Sequence, residues 1–538
     1  MSRNRQLKLA ALVVALGFGA AMPATAASFT FGVMSDTQWK SNLDGENPGT
    51  VAVGIINQIN QQFIAKDVAF VVQVGDLVDS YSAANMDVRV AAAQPLYDAG
   101  IGFFPLRGNH ESSSSAANYV PTVFPQTTGG GGNTVGASNF NSPFTSLNGL
   151  SYSFDYGNAR FVMLDQFTRK DGSGSTNNNI VDQVGWVDGQ LDSKGANTHA
   201  FVFSHKGLIT ANHTDTLFGA NPASNPDAQN AFMGSLDANG VRYLFNGHDH
   251  NHQRSVITSP DGKSQVQDIT TSSNSYKFYV PQTGANINDV KYNNPTRETP
   301  IAQELYTVGY YMVTVDGARV TVDHFASNNG CGGSLAGGGV DCDLTVTPKL
   351  NFEKRETFGY SLNGKQFLVE AGASFAGISD NIAAGDGFVG TSMQFLDGIN
   401  DNNINLFDGR ATFSDVNTGW ISKTEAGDDK LRSDVLSLWG VSDLSNSEAN
   451  TVKLSMSYTG DDAVYLLRKV NGQWVNAGTD MGFDPLTHTA WASVSLSAVE
   501  AGDFAVAVPE PESYALLLAG LGLLGFMARR RQSMPAMN

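Results

Sequence analysis

Polar residues with metal-binding or proton-transfer chemistry follow several apolar runs of this chain. The run Gly102–Leu106 ends in Gly108-Asn109-His110-Glu111, which presents an amide, an imidazole and a carboxylate at one turn. A short apolar run that ends at a glycine is typical of a buried strand, and α/β enzymes place their chemistry at strand ends. Six residues of the chain lie just past such runs: Asp36, Asp76, Asn109, His205, His248 and His250.

These six residues together favour a metal centre. Carboxylate, amide and imidazole groups suit Zn, Fe or Mn better than a metal that prefers thiolates. Two metals that share one carboxylate can hold a phosphate ester, deprotonate a water and stabilise the charge of an in-line displacement. Taken singly, each residue has a simpler explanation as a helix cap, a turn residue or a bonded core histidine. Only the two-metal interpretation uses all of them.

Strand and helix patterns alternate over the first half of the chain, which predicts an α/β (α+β) domain. Residues 112–148 interrupt this order with Ser, Asn and Gly, so they are expected to form a loop that shapes a binding site or lacks order. Strands are predicted over residues 28–33, 68–74, 102–106, 200–203 and 243–245, a hairpin over 152–164, helices over 50–64, 85–98, 186–191 and 226–239, and closing antiparallel strands over 306–315 and 319–325.

The second half of the chain has short alternating segments separated by Gly, Asn and Asp, which predicts a β-sandwich. Cys331 and Cys342 precede it in a glycine-rich loop. A small disulfide is expected in an exported protein, because no histidine lies nearby to support a metal pair. The predicted organisation is a signal peptide at 1–27, a catalytic domain at 28–326, a linker at 327–350, the sandwich at 351–507 and a sorting segment at 508–533.

Both ends of the chain carry patterns of export. Residues 1–27 combine basic residues, an apolar run and Ala24-Thr25-Ala26, as secretory signals do. The other end has Pro509-Glu510-Pro511, a short apolar run and Arg529-Arg530-Arg531, which fits a segment with its arginines on the cytoplasmic side. The formal charge of −18 argues against general nucleic-acid binding, which depends on Lys and Arg.

Five blocks of the first domain resemble the calcineurin-like metallophosphoesterases over residues 28–325. They are Asp36-Thr37-Gln38, Gly75-Asp76-Leu77-Val78-Asp79, Gly108-Asn109-His110-Glu111, His205 and Gly247-His248-Asp249-His250. The resemblance implies a four-layer αββα sandwich, two metal ions (Mn, Fe or Zn), a metal-activated hydroxide as nucleophile and a phosphoester substrate, which is a monoester, a diester or a nucleotide.

The resemblance also implies a role for each matching residue. Asp76 corresponds to the ligand that bridges the metals. Asp36, Gln38 and His250 would complete one site, and Asn109, His205 and His248 the other. His110 matches the general acid, and Asp79 matches the carboxylate that orients it. His252, His213 and His199 are not needed as ligands, so a solvent-facing or substrate-side position is expected for them.

The C-terminal pattern resembles PEP-CTERM sorting signals. This resemblance implies an exosortase-type processing enzyme as a partner and a transient anchor in the inner membrane. It also implies a final location at the cell surface or in an exopolysaccharide matrix.

Gln38 departs from the family pattern, in which most members have histidine. An amide oxygen still binds a hard metal but donates less than imidazole, so this site is expected to bind more weakly or to prefer Mn or Fe. Gln38 also supports an alternative function, a non-catalytic surface or matrix protein that binds polysaccharide and keeps the phosphoesterase domain as a scaffold. The preserved pair His110 and Asp79 favours the enzyme.

Overall fold

The computed structural model describes residues 27–275, 277–279, 297–328, 340–341, 346–370, 375–376, 391–395, 413–441, 451–499 and 502–508. Nearly all of the two predicted export segments and both cysteines lie outside these residues. The longest helix of the described ranges has 16 residues, and none combines the length and apolar character that a membrane crossing requires.

The helices and strands follow the predicted alternation through the first half of the chain. The α-helices are α1 (Val53–Ala65), α2 (Ala83–Asp98), α3 (Ser114–Val123), α4 (Val184–Asp192), α5 (Pro226–Ala238), α6 (Lys423–Ala426) and α7 (Leu496–Val499). The strands up to the glycine-rich loop are β1 (Phe29–Met34), β2 (Phe70–Val74), β3 (Gly102–Leu106), β4 (Ser138–Asn141), β5 (Tyr152–Tyr156), β6 (Ala159–Leu164), β7 (His199–Ser204), β8 (Tyr243–Asn246), β9 (His252–Thr258), β10 (Gln265–Thr270), β11 (Lys277–Phe278), β12 (Glu298–Glu304), β13 (Thr307–Asp316) and β14 (Arg319–Asn328).

The strands beyond that loop are short and numerous. They are β15 (Val340–Asp341), β16 (Glu353–Ser361), β17 (Gln366–Glu370), β18 (Phe375–Ala376), β19 (Ser392–Phe395), β20 (Phe413–Ile421), β21 (Val435–Trp439), β22 (Thr451–Ser457), β23 (Tyr465–Val470), β24 (Gln473–Asn476), β25 (Thr479–Asp484), β26 (Thr489–Ser495) and β27 (Gly502–Ala507).

Two mixed sheets form the centre of the first domain. One has the order β16-β14-β13-β1-β2-β3, and the other has the order β12-β9-β10-β8-β7-β6-β5-β4. Strands β1, β2 and β3 run parallel, and so do β6, β7 and β8. Parallel strands bring their carboxyl ends to one edge of the sheet, and ligands bind outside such edges.

Alternating side chains build three apolar layers around these sheets, because successive residues of a strand point to opposite faces. Phe31 and Phe70 of the first sheet and Phe161 of the second lie in the layer between the sheets. The outer face of the first sheet packs on α1 and α2, and that of the second packs on α4 and α5. The predicted four-layer αββα sandwich is therefore confirmed.

The C-terminal region contains two antiparallel sheets, as the sequence pattern predicts. Their orders are β17-β20-β21-β27-β23-β24 and β18-β19-β22-β26-β25. Val416, Leu454 and Phe504 lie in the shared apolar core. A short two-stranded sheet pairs β11 with β15, and Lys277 faces Asp341 in its register.

The first sheet extends further along the chain than the predicted domain boundary. Strand β16, which falls within the predicted sandwich segment, pairs with β14 as an edge strand of the first sheet. An ion pair between Arg319 and Asp503 joins the first domain to the sandwich. The strand pairing therefore places residues 353–361 in the first domain.

Residues 112–148 are more regular than their composition indicates. They contain helix α3, strand β4 and the two 3₁₀ helices Pro125–Thr128 and Thr145–Leu147. Ser113 caps α3, because its Oγ accepts a hydrogen bond from the Ala116 amide at 3.2 Å. One of the serines that suggest a loop therefore stabilises a helix terminus.

Candidate metal centre

The predicted ligands follow the carboxyl ends of five strands, three in the first sheet and two in the second. Asp36 follows β1, Asp76 follows β2 and Asn109 follows β3, while His205 follows β7 and the His248–His250 turn follows β8. The chain reaches each of these residues within four positions of the strand end. The structure brings together the seven predicted ligands, which are Asp36, Gln38, Asp76, Asn109, His205, His248 and His250.

Four of these residues have left-handed backbone conformations. The φ angles are 50° for Asp36, 47° for Asp76, 71° for His248 and 53° for His250. Such angles are uncommon outside glycine and cost free energy, and they persist where the surrounding structure fixes them. The turns after β1, β2 and β8 thus direct these side chains towards a common centre.

Glycines let the loops approach the centre closely. A Cβ atom on Gly108 would lie 1.9 Å from Asp76 Oδ1, and one on Gly247 would lie 2.1 Å from Ser35 Oγ. Both distances are far below van der Waals contact, so a side chain at either position would displace the loops that carry the ligands.

One group of ligands gathers around His205. The Nδ1–H of His205 donates to the Val74 carbonyl at 2.9 Å. Its Nε2 therefore faces inwards, 2.9 Å from Asn109 Oδ1 and 3.4 Å from Asp76 Oδ1. Asp76, His205 and His248 are all buried, and their ligand atoms lie within 4.8 Å of one another. This arrangement of acceptor atoms requires a positive charge at its centre.

The electrostatics of this group agree with that requirement. Burial lowers the pKa of His205, but the charge and hydrogen bond of Asp76, together with the charge of Asp36, raise it to about 9. Burial, together with the charge of His213, lowers the pKa of His248 to about 3. Histidine binds a metal as the neutral imidazole, so His248 is held in the form that a ligand needs. At His205 a metal ion would replace the proton.

A second group of ligands gathers around Asp36. Asp36, Asp76 and His250 are buried with their ligand atoms within 4.8 Å of one another, so Asp76 belongs to both groups. The Nδ1–H of His250 donates to the Lys277 carbonyl at 3.2 Å, and Nε2 lies 3.2 Å from Asp36 Oδ1. Asp76 is therefore the carboxylate that the two groups share.

Gln38 contacts the carboxylate that both groups share. Its Nε2 donates to Asp76 Oδ2, and its Oε1 is buried without a hydrogen-bond partner in the described part of the chain. A buried acceptor without a donor is costly, and a metal ion would satisfy it. The residues present therefore fit a pair of metal ions.

His110 lies beside this centre with its ring partly exposed. Its Nδ1–H donates to the backbone carbonyl of Asp79, and its Nε2 lies 3.8 Å from Asp76 Oδ2. Burial lowers the pKa of His110, but the charges of Asp76 and Glu111 and the bond to the Asp79 carbonyl together raise it above its usual value. The Asp79 carboxylate accepts from Lys277 Nζ at 2.5 Å. Asp79 thus touches His110 through its carbonyl rather than through the carboxylate that the resemblance suggests.

Glu111, which the sequence left without a role, ties two of the ligand loops together. Its Oε1 accepts from the Val78 amide and its Oε2 from the Gly108 amide, both at 2.9 Å. Burial and the nearby Asp76 charge raise the pKa of Glu111 to about 7. The carboxylate therefore joins the turn after β2 to the turn after β3. Its position next to His110 was the one signal in the sequence.

Asp215 is a further residue of the site that the sequence did not indicate. Its Oδ1 lies 3.3 Å from His248 Nε2, and its Oδ2 pairs with the Lys206 ammonium. Burial raises the pKa of Asp215, but the bond to His248 and the charges of His248 and Lys206 hold it well below the usual value. Asp215 lies in an irregular segment that follows no apolar run, so no pattern marks it.

The three histidines that the sequence analysis named as unnecessary for the metal have different positions. His213 is 27% exposed and stacks on His248, with ring centroids 3.9 Å apart, so it lies at the mouth of the centre. His252 is buried and bonded to Tyr311 and Glu356, and His199 is buried and bonded to the Gly317 carbonyl. The expectation of a solvent-facing or substrate-side position is wrong for His252 and His199.

Comparison with known families agrees with this architecture. Residues 29–252 match the calcineurin-like phosphoesterase family, and residues 507–531 match the PEP-CTERM protein-sorting motif. The first domain is therefore a calcineurin-like phosphoesterase domain, which is the domain of a class of metal-dependent phosphoesterases. The chain carries in addition a PEP-CTERM sorting motif. No curated protein matches the chain.

Several solved structures show weak overall similarity. Purple acid phosphatase PPD1 from yellow lupin (Lupinus luteus) is 16% identical with a TM-score of 0.38, and the alignment covers 56% of this chain and 52% of that one. A dimetal phosphatase from Danio rerio is 18% identical with a TM-score of 0.34, over 55% of this chain and 95% of that one. The Plasmodium inner membrane complex anchor GAP50 is 14% identical with a TM-score of 0.33, over 56% and 84%.

The chain thus spans about half the length of the lupin phosphatase. At these identities the assignment of the domain depends on the family match.

Proposed function

We propose that this protein is an exported phosphoester hydrolase that works with two metal ions. One observation carries the proposal: two buried groups of ligand atoms share Asp76. In the described part of the chain, neither Asp76 nor Asp36 forms an ion pair with a lysine or arginine. Buried carboxylates need a compensating charge, and bound metal ions would provide it.

Asp36, Gln38, Asp76 and His250 would hold one ion, and Asp76, Asn109, His205 and His248 would hold the other. The donor set of oxygen and imidazole nitrogen suits Mn, Fe or Zn. Such ions supply the charge that acidifies water and stabilises an in-line displacement at phosphorus.

His110 is placed to act as the proton donor. Because its Nδ1–H is committed to the Asp79 carbonyl, Nε2 is the nitrogen that faces the centre. As the P–O bond to the leaving group breaks, its electron pair stays on the departing oxygen. The Nε2–H bond of the imidazolium then breaks and that oxygen receives the proton.

The C-terminal motif supports export of the protein. It is consistent with an exosortase-type processing enzyme as a partner and a temporary anchor in the inner membrane. The cell surface or an exopolysaccharide matrix would then be the final location. Hydrolysis assays on a monoester, a diester and a nucleotide would identify the substrate class.

The alternative function, a non-catalytic polysaccharide-binding scaffold, depended on Gln38. Because Gln38 is buried among the ligands and its Oε1 has no partner within the described ranges, it supports metal binding rather than loss of the site.

Hydrolysis assays on the purified protein test the proposal. Wild type should hydrolyse at least one of a phosphomonoester, a phosphodiester and a nucleotide with added Mn, Fe or Zn. Asp76→Ala should lower the rate at least about 1,000-fold, because it removes the ligand common to both ions, and should lower the bound metal. Asp188→Ala, on the exposed face of α4, is the control. Equal rates for wild type and Asp76→Ala would end the proposal.

A further inference from the structure

Lys277 contacts two residues of the site: Asp79, which binds the proposed proton donor His110, and His250, a predicted metal ligand. Its Nζ lies 2.5 Å from Asp79 Oδ1, and the two side chains are only 8% and 14% exposed. Its backbone carbonyl accepts the Nδ1–H of His250 at 3.2 Å. Lys277 lies outside the residues 29–252 that match the family, so this contact is a feature of this chain that the family match does not cover.

The orientation of His110 depends on which acceptor takes its Nδ1–H. The acceptor in the structure is the carbonyl of Asp79. The Asp79 backbone is itself fixed, because its amide donates to the Thr50 carbonyl at 2.9 Å. With this carbonyl as the acceptor, Nε2 faces the Asp76 carboxylate and the centre.

The Asp79 carboxylate belongs to the same residue as this carbonyl and is the stronger acceptor of the two. Hydrogen bonds to an ionised group are roughly twice as strong as those between neutral groups. If Lys277 did not hold it, this carboxylate would therefore compete for the imidazole N–H and rotate the ring. In the structure, Lys277 holds this carboxylate in a partly buried ion pair.

We propose that Lys277 is a positioning residue for the proton donor. Its ammonium holds the Asp79 carboxylate, so that the Asp79 carbonyl fixes the His110 ring with Nε2 towards the leaving group. The inference rests on the proposed function, since it assigns Lys277 to the proton-donating arm of the same site. Lys277 acts through Asp79 and His110, and no contact with substrate is required.

The dependence of the rate on the leaving group tests this role. A proton donor matters most when the leaving oxygen is basic. Lys277→Met should lower kcat for an alkyl phosphomonoester by about 10- to 100-fold and kcat for p-nitrophenyl phosphate by less than about threefold. Lys277→Arg should recover most of the loss. Lys263→Met is the matched control, because Lys263 pairs with Asp261 but is 80% exposed.

A readout without turnover comes from the imidazole nitrogens. In metal-free protein labelled with ¹⁵N-histidine, the nine histidines give a small set of signals, and His110→Gln assigns the signal of His110. Wild type should show His110 with the proton on Nδ1. Lys277→Met should change this signal and leave the bound metal of the loaded protein at the wild-type amount.

Three outcomes would overturn the role of Lys277. They are equal losses on the two substrates, an unchanged His110 signal, and an arginine variant as impaired as the methionine variant. If Lys277→Met does not fold, Lys277→Gln removes the same ammonium from the Asp79 carboxylate and must give the same contrast between substrates. A wild type that hydrolyses no ester contradicts the proposed function instead. The imidazole signals still show whether Lys277 controls the orientation of the His110 ring.

Discussion

His250 and His252 are two residues apart, equally buried, and belong to two different kinds of polar cluster. His250 faces Asp36, which lies with Asp76 in the metal centre. Both ring nitrogens of His252 form hydrogen bonds: Nδ1 lies 2.6 Å from the Tyr311 hydroxyl and Nε2 lies 2.9 Å from Glu356 Oε2. The two clusters differ in how their carboxylates are compensated.

The carboxylate beside His252 has a permanent cation. Glu356 pairs with the buried Arg254, whose Nε donates to it at 3.1 Å. The attraction of Arg254 and His252 holds the pKa of Glu356 well below its usual value in spite of burial. A buried ion pair of this kind is structural, because the removal of one partner leaves a charge uncompensated.

The carboxylates beside His250 have no such partner in the described part of the chain. Asp36 and Asp76 lie among histidines, an asparagine and the unpartnered Oε1 of Gln38. A cluster with a permanent cation stabilises the fold, whereas a cluster without one is suited to an exchangeable cation. Burial and residue type therefore do not distinguish the two clusters, whereas a lysine or arginine beside the carboxylate does: within the described residues Glu356 has Arg254, and Asp36 and Asp76 have histidines alone.

Substitution of the two histidines tests this contrast most strongly. His250→Ala should lower hydrolysis at least about 1,000-fold, because it removes a metal ligand. His252→Ala should lower the free energy of unfolding by about 3 kcal/mol, because it breaks a buried polar network. Activity assays, bound metal and denaturant unfolding of both variants provide the measurements.

One result for the His252 variant would contradict the distinction between the two clusters. If His252→Ala folds with wild-type stability but loses its bound metal, the cluster around Glu356 is part of the metal centre and the distinction is wrong. His199→Ala is a matched control, since His199 is also buried and bonded but lies in the core at the start of β7.

Gln38 offers a smaller and more selective test of the centre. Gln38→His introduces the residue of most family members, and it should tighten metal binding about tenfold, because imidazole donates more strongly than an amide oxygen. Gln38→Leu should weaken binding by a similar factor. Metal titration of the purified variants measures both changes.

Gln183→Leu is the control for this test. Gln183 is also buried with an Oε1 that has no partner among the described residues, but it belongs to neither ligand group. If all three variants bind metal as wild type does, Gln38 is not a ligand, and its unpartnered oxygen has no connection with the metal.

The sequence predicts which polar residues lie together, because the carboxyl ends of parallel strands meet at a sheet edge. Once β1, β2, β3, β7 and β8 are identified from their apolar runs, the polar residues after them must lie at the sheet edges. The order and type of Asp36, Asp76 and His205 therefore predict their proximity without any knowledge of the loops. The family resemblance adds the roles of the individual residues, which stay predictions.

Residues that act through loops or through distant strands escape such reasoning. Asp215 and Lys277 follow no apolar run, and their contacts with His248 and Asp79 depend on how irregular segments fold. The sequence pattern does not indicate strand β9, because the strand contains Gln253, Arg254 and Ser255, whose burial depends on partners such as Glu356 on β16. Hydrophobic periodicity cannot detect a strand that is buried by polar contacts.

Substitution of Asp415 should give the smallest effect on stability. It tests whether Arg254 compensates every carboxylate near it, Asp415 as well as Glu356. Its Oδ2 lies 3.7 Å from Arg254 Nη1, its Oδ1 has no partner among the described residues, and burial raises its pKa to about 6. A raised folded-state pKa means that the folded protein holds the proton more tightly than the unfolded chain, whose aspartates titrate near about 3.9. The contribution of Asp415 to stability should therefore fall as the pH rises from about 4 to 6 and stay constant above it.

Asp415→Asn, which resembles the protonated form, should exceed wild type by about 1 kcal/mol in unfolding free energy at pH 8 and match it near pH 4. Denaturant unfolding across this range measures the difference, with Asp188→Asn as the control. A variant that is less stable than wild type at pH 8 would show that Arg254 compensates Asp415 as it does Glu356, and the contrast with the metal centre would then be complete.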